Sequence, residues 1–569
     1  MSSRFYDSES GERPETPVLP LPDKQRRVPP IHPLLFTAFP LLALYGHNIG
    51  QIPFHELYRP LGAAMLGTLA VWLLFLLLTR NVRKAALAAS VLVLAFFSVR
   101  PIVDLLPERF QGVVVPACLL IVAALLFVIV RARRPLYDAT AVVNLTAFVL
   151  LIPSCWTIAT EYGNTALWRK QAQLASQDGF EAGLAATATA HPERHLSNAP
   201  KDVPDVYYII LDAYGRADRL RTYYGYDNTP FIQALEKRGF YIPRHSEPNY
   251  NQTPLCLASA LNMNYLVERP ERHLSPEVLR QMVDDNAVAA CLRKQGYHYV
   301  DVWSGLEVSR VTTADLVLNN SPDLSIFESK MIDLTAFGAL AAHRKERYNR
   351  HRARLLGGFS NLETAAGLPY PKFVFTHILA PHPPFVFGAN GEPIDPKGTL
   401  DLSDASDLLK SITKDEYRRR YIAQLQYVNK RALEAVDVIL RQSHHRPIII
   451  VQGDHGSRMN LNWESLARTD IREPFANLNA YYVPDKVRRD LWDTITPVNS
   501  FRVILTDVFG EKYPRLPDRN FYSTESRPAD FTEVTQSLAR MAETPDPGPS
   551  STNAGQQTPT GAHGVETPR

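Results

Sequence analysis

The chain has 569 residues, too many for one hydrophobic core, so at least two domains are expected. A net charge of +3 gives no electrostatic argument for a nucleic-acid partner, and 4 cysteines are too few for a disulfide framework. The mean hydropathy of −0.16 hides a split: residues 31–160 are dominated by apolar runs, while residues 200–525 read as an ordinary globular sequence.

Residues 1–30 are polar and Pro-rich, which reads as a disordered cytoplasmic N-terminus without a cleavable signal peptide. Residues 31–160 read as an α-helical membrane domain of about five spans, near 33–53, 61–79, 85–106, 113–130 and 139–159. The second and fourth carry no charge; the first contains Pro40, His47 and Asn48. In the third, Arg100 and Asp104 share a helical face at i, i+4, either as a polar site near the outer leaflet or as a helix end at the interface. Lys24, Arg26 and Arg27 precede the first span; Arg80, Arg83 and Lys84 follow the second, and Arg131, Arg133 and Arg134 the fourth. The alternate loops hold only Glu56 with Arg59, and Glu108 with Arg109. The positive-inside rule then makes the N-terminus cytoplasmic and puts everything after the fifth span on the far side of the cytoplasmic (inner) membrane, periplasmic or extracellular.

Residues 161–203 read as an Ala-rich linker, and residues 204–525 as one α/β domain. Strands are predicted at Val206–Leu211, Tyr297–Val302, Phe373–Leu379 and Pro447–Val451, and helices at Thr229–Arg238, Ala287–Lys294 and Tyr417–Arg441. That alternation implies a mainly parallel sheet with helices on both faces. Arg344 to Arg354 hold six Lys or Arg, read either as a solvated helix face or as a surface for anionic lipid headgroups. Cys256 and Cys291 could pair outside the cytoplasm or remain buried thiols. Residues 526–569 are rich in Pro, Thr, Ser and Gly and read as a disordered tail.

Three segments carry chemistry. Asp212 follows the apolar strand Val206–Leu211, and Gly453-Asp454-His455-Gly456 follows the apolar strand Pro447–Val451. Acid and imidazole at the carboxyl ends of two buried strands can serve one metal ion, at the edge where open α/β sheets bind ligands. The flanking glycines suit a tight turn. Between them in sequence, Thr253-Pro254 opens a stretch suited to a helix start. A threonine hydroxyl there becomes a competent nucleophile if a cation lowers its pKa, and the helix N-terminus favours an anionic substrate group. A fourth piece, His377-Ile378-Leu379-Ala380-Pro381-His382, puts two histidines at a strand end, able to hold a phosphate or sulfate oxygen, protonate a leaving group or bind a second metal.

Asp212, Thr253, His382 and the Asp454-His455 pair, in this order, resemble the alkaline phosphatase superfamily in its sulfatase-like branch. The pattern is similar to the membrane-bound lipoteichoic acid synthases and lipid A phosphoethanolamine transferases, which share the layout of membrane helices followed by an extracytoplasmic catalytic domain. The resemblance implies a sulfatase-like domain over 204–525, metal ligands Asp212, Thr253, Asp454 and His455, catalytic Thr253 and His382, and substrate-binding His377 and His382. It implies one divalent ion, with Zn or Mn suited to oxygen and nitrogen ligands. It also implies a phospholipid or other membrane-embedded donor, an envelope glycan or lipid acceptor, and a covalent phospho-threonine.

The chain departs from the pattern in three places. The Cys/Ser-x-Pro-x-Arg motif of formylglycine sulfatases is missing around Thr253 and Cys256, which disfavours true sulfatase chemistry. Position 467 is Ala467, where the transferases place a further histidine, so a full second metal site of their type is not expected. Asp212 stands where they usually carry Glu. Two alternatives stay open: a sulfatase-like hydrolase of phosphodiesters or sulfate esters, and a non-catalytic protein that binds an envelope polymer.

Overall fold

A computed structural model describes residues 28–175, 203–268, 274–319, 324–394 and 405–542, except positions 50, 51, 53, 107, 134, 135, 340 and 370. Two compact units emerge, residues 1–43 with 61–155, and residues 44–60 with 156–569.

The first unit is built from α1 (His32–His47), α2 (Tyr58–Thr79), α3 (Val82–Leu105), α4 (Glu108–Arg131) and the first half of α5 (Tyr137–Ala175). Among the described residues, four helices are long and apolar enough to cross a membrane: Phe54–Thr79, Val82–Val103, Gly112–Arg131 and Tyr137–Thr160. The expected first span, 33–53, forms only the 16-residue α1, with Pro40 inside it. At 1.5 Å per residue that is about 24 Å, less than the roughly 30 Å of a bilayer's hydrocarbon core. Leu66, Leu77, Leu120 and Phe127 point outward, which suits a lipid environment. Polar contacts join helices inside the unit: His32 Nδ1 lies 2.6 Å from Ser90 Oγ, and the His32 amide donates to Asn144 Oδ1 at 3.0 Å. Arg100 is buried within the unit, and the Asp104 side chain lies outside the described residues.

The second unit carries β1 (Val206–Leu211), α6 (Ala217–Tyr224), α7 (Thr229–Lys237), α8 (Thr253–Asn262), α9 (Pro276–Asp284), α10 (Ala287–Lys294), β2 (His298–Val302), β3 (Leu316–Leu318), α11 (Ile326–Asp333) and α12 (Ala341–Ala366). It continues with β4 (Lys372–Ile378), α13 (Ala405–Leu408), α14 (Lys414–Gln442), β5 (Ile448–Gln452), β6 (Asn479–Tyr482), α15 (Asp485–Asp490), α16 (Pro497–Phe509), β7 (Phe521–Tyr522), β8 (Thr532–Glu533) and α17 (Thr535–Ala542). Six strands form one sheet in the order β3-β2-β4-β1-β5-β6, parallel except for the edge strand β6.

Alternate residues of β1 feed two cores. Val206, Tyr208 and Ile210 pack on one face with residues of α8, α10 and α16. Tyr207, Ile209 and Leu211 pack on the other with residues of α7, α12 and α14. Every residue of β1, β4 and β5 is buried, which is why these strands read as continuous apolar runs.

Three expectations change. Arg347, Arg352 and Arg354 of the basic block are buried, while Lys345 is exposed and Arg350 partly so; half of the block serves the packing of α12 rather than an open basic surface. Arg352 donates to the Ile394 carbonyl at 2.9 Å, and Arg347 pairs with Asp333. The expected tail starts too early: Val534 and Leu538 bury against Leu461, Phe475 and Tyr522, and the fold runs through Ala542. A short apolar stripe (Val534, Leu538, Met541) is hard to see in a Pro- and Thr-rich setting. Residues 1–27, 176–202 and 543–569 lie outside the described residues, so most of the expected linker and the N-terminus do too, while α5 continues to Ala175. Cys256 and Cys291 are both buried free thiols.

His351 on α12 is wholly buried, and burial, then Arg354, His382 and Arg352, push its pKa down from 6.5 to about 3. The unfolded chain therefore binds a proton that the folded chain refuses between those values, so folding stability falls as pH drops through that window. The melting temperature of the protein should decline from pH 6.5 toward pH 4, and more steeply than that of His351→Leu. Equal slopes for the two proteins would show that His351 does not govern the acid sensitivity.

Candidate active site

β1 lies between β4 and β5, and Ile210 pairs with His377 on one side and Gln452 on the other. Two residues beyond Ile210 and Gln452, Asp212 and Asp454 leave the sheet side by side. One ligand-capable atom from each of Asp212, Asp454 and His455 falls in a group whose members all lie within 4.8 Å of one another. All three residues are buried. This is the convergence the sequence implied from two separate strand ends.

The backbone around the centre is tightly constrained. Ala213, directly after Asp212, holds φ 60, a left-handed conformation uncommon for a residue with a Cβ. Its N–H donates to Asp454 Oδ1 at 3.0 Å, and its carbonyl accepts from the Tyr421 hydroxyl at 2.8 Å. A Cβ on Gly453 would sit 2.5 Å from the Tyr214 carbonyl oxygen, and one on Gly456 would sit 2.1 Å from that of Glu473. These glycines are therefore required by close backbone approach rather than by a positive φ, a different reason from the tight turn the sequence suggested.

Thr253 is the first residue of α8, followed by Pro254 in the first turn, and no side chain caps that end. Its Oγ1 lies 3.1 Å from His455 Nε2. The other ring nitrogen, Nδ1, lies 2.7 Å from the Gly456 carbonyl, so Nδ1 carries the proton and Nε2 presents its lone pair. That same Nε2 is 3.1 Å from Asp454 Oδ2 and 3.6 Å from Asp212 Oδ1. Neither of those carboxylate oxygens receives a hydrogen bond. A lone pair and two buried carboxylate oxygens facing one another repel unless a proton or a cation sits among them. Oxygen and nitrogen donors in this number fit a divalent metal ion such as Zn or Mn.

Without a metal, the positive partner of these acids is the protonated form of His455, with His377, His382 and Arg458 beside it. Burial raises the Asp454 carboxyl, but His455, His377 and Arg458 outweigh it and hold the group well below the ordinary carboxylate range. For Asp212, burial and Asp454 push upward, while His382 and His377 pull it below its usual value. Both acids are thus held as carboxylates, the form a metal needs.

The two histidines of the fourth segment separate. His377 is buried on β4, its Nε2 3.1 Å from Asp212 Oδ2, so it stands behind the carboxylate and orients it rather than facing a substrate. His382 is only partly buried, its backbone amide donates to the Asp212 carbonyl at 3.0 Å, and its Nδ1 lies 2.5 Å from the Pro383 carbonyl. Gln424 fixes this loop, accepting from the Val386 amide at 2.8 Å and donating to the His382 carbonyl at 3.1 Å.

Supporting residues escaped the sequence reading. Arg458 donates to the Asn251 carbonyl at 2.7 Å and so ties the loop after His455 to the segment before Thr253. Glu473, fully buried, accepts from Ser457, Met459, Asn460 and Tyr224 and anchors the same loop. Arg458 lies two residues past Gly456 but its partner is a backbone carbonyl 207 residues away, and Glu473 follows no apolar strand or glycine motif, so spacing gave no signal for either role.

Asp454→Asn should lower the Zn or Mn content of dialysed protein by one ion per chain, measured by elemental analysis. His377→Ala should keep that ion but bind it roughly 10–100-fold more weakly. Unchanged metal content in Asp454→Asn would contradict the assignment of the centre.

No family model and no curated protein sequence matches the chain. Solved structures do. The chain is similar to the C-terminal periplasmic domain of EptC from Escherichia coli, at 12% identity and TM-score 0.37 over 57% of this chain and 91% of that one. It is similar to the integral membrane lipooligosaccharide phosphoethanolamine transferase A of Neisseria meningitidis, at 11% identity and TM-score 0.37 over 84% of this chain and 94% of that one. It is also similar to an alkaline phosphatase superfamily protein from Vibrio parahaemolyticus, at 11% identity and TM-score 0.34 over 57% and 74%. These TM-scores are all below 0.5, so the chemistry of this chain rests on its own side chains.

Proposed function

We propose that this chain is a membrane-anchored, metal-dependent phosphotransferase that works outside the cytoplasmic membrane through Thr253. Its substrate would be a phospholipid-headgroup-type phospho group on a membrane-embedded donor, and its acceptor an envelope glycan or lipid. The observation that carries the reading is the Thr253 hydroxyl, at the start of α8 and 3.1 Å from a histidine in a centre with two buried carboxylates. A bound divalent cation supplies positive charge that lowers the hydroxyl pKa and offsets charge on the phosphoryl oxygens.

The chain's own residues do the rest. Thr253 Oγ attacks phosphorus; the Oγ–P bond forms as the bond from phosphorus to the donor alcohol breaks. The hydroxyl proton passes to solvent water, and the leaving oxygen takes one from partly buried His382, which regains it from solvent. The acceptor hydroxyl then reverses the exchange and frees Thr253. His377 and the Gly456 carbonyl orient Asp212 and His455, and the first turn of α8 favours the anionic phosphoryl group.

The membrane side follows from charge. Basic residues cluster in the loops after α2 (Arg80, Arg83, Lys84) and after α4 (Arg131, Arg133, Arg134), which marks both as cytoplasmic. α5 starts from the second of these loops and would emerge opposite, leading to the catalytic unit. This placement holds whether or not α1 crosses.

Intact mass spectrometry of the full chain in detergent, incubated with Mn or Zn and a lipid extract, tests the reading. The wild type should gain a phospho adduct that is absent in Thr253→Ala, and the adduct mass names the transferred group. Accumulation of transferred product only with an envelope acceptor supports transfer; free phospho product in water supports the hydrolase. An adduct that survives in Thr253→Ala would overturn Thr253 as the nucleophile.

A further inference from the structure

A second convergence of ligand-type side chains lies in the same compact unit, away from the candidate active site. A 3-10 turn, Phe54–Leu57, precedes α2, and a second, Glu307–Ser309, follows β2. One ligand-capable atom from each of His55, Glu56 and Glu307 falls within 4.8 Å of the others. We propose that His55, Glu56 and Glu307 form a divalent-cation site that ties the membrane-proximal turn ahead of α2 to the loop after β2.

The geometry leaves room for an ion. His55 Nε2 lies 3.9 Å from Glu56 Oε1 and 3.9 Å from Glu307 Oε2, too far for hydrogen bonds. Donor atoms that far apart can each lie about 2.3 Å from one ion, the range of Zn, Mn or Ca contacts. Glu56 supplies the second observation. Its side chain is only 9% exposed, and its Oε2 is buried without a hydrogen-bond partner. A carboxylate oxygen desolvated in this way is costly unless a cation or proton meets it.

Arg310 offsets part of the charge, its Nη1 3.2 Å from Glu307 Oε1, but one cation faces two acids. Half-exposed His55 opens the site to solvent and gives an ion its entry.

The turn that carries these ligands is already held in place. The Phe54 ring packs edge-on against Tyr45, Tyr58 and Tyr162 at centroid distances of 5.5, 5.5 and 5.6 Å. The Tyr45 and Tyr162 hydroxyls meet at 2.7 Å. An ion here would add a polar clamp to this aromatic cluster, and its binding would strengthen the hold of the turn on the catalytic unit.

Manganese binding by the full chain in detergent, counted by elemental analysis and titrated by electron paramagnetic resonance, tests the proposal. The wild type should bind two ions per chain. Glu56→Gln with Glu307→Gln should lose one and keep the other, whereas Asp454→Asn should lose only the other. His55→Ala, at a half-exposed position that folding tolerates, should weaken the second ion roughly tenfold or more. Two ions retained in both the double variant and His55→Ala would overturn the site, as would a single wild-type ion that Asp454→Asn removes. Ion counts do not depend on turnover, so this result is separable from the proposed transfer reaction.

Discussion

Asp212 and Asp454 are two carboxylates buried side by side at the ends of adjacent parallel strands, and their shared charge is the constraint on which the second unit depends. Nothing in an apolar interior favours that arrangement without a positive partner. The surrounding structure is arranged to hold it nonetheless. Ala213 accepts a left-handed backbone, Tyr421 and Asp454 clamp that residue on both sides, and Gly453 and Gly456 let the loop backbone at Tyr214 and Glu473 come within reach. Strain and desolvation gathered at one sheet edge are the physical signature of a site rather than of a core.

Thr253 acquires chemical meaning only from this setting. It reaches the centre on a separate helix, α8, whose apolar side (Leu255, Leu257, Leu261) is locked into the core beneath the sheet. Helix packing therefore sets the position of the hydroxyl, and Arg458 fixes the approach of the preceding loop. Thr253 and its supports come from elements far apart in the chain, so the site cannot assemble unless the whole sheet and both its helical layers do.

Much of the catalytic unit was legible in the sequence because its strands are buried on both faces. Val206–Leu211 was read with its observed bounds, and the strands around Phe373 and Ile448 came within a residue at each end, since a continuous apolar run bounded by polar turns has few other readings. The grouping of Asp212 with Asp454-His455 was likewise readable, because each follows such a strand. What escaped has a common cause. The strands Leu316–Leu318 and Asn479–Tyr482 have apolar runs too short to stand out, and the burial of Arg347, Arg352 and Arg354 depends on carbonyls and acids distant in sequence. Glu473 and Gln424 act through hydrogen bonds to loop backbone, which no periodicity records. In the membrane unit, hydropathy found the four long helices of the described residues but overestimated α1, which carries Pro40 and gives way to a turn at Asn48.

The central claim is that a divalent ion belongs among Asp212, Asp454, His455 and Thr253. X-ray anomalous scattering at the Zn or Mn edge, from crystals of the full chain grown with that metal, tests it most directly. A bound ion gives an anomalous peak about 2.0–2.3 Å from an oxygen of each acid, from His455 Nε2 and from Thr253 Oγ1. Density at this centre without an anomalous peak, with a proton shared between the two carboxylates instead, would contradict it.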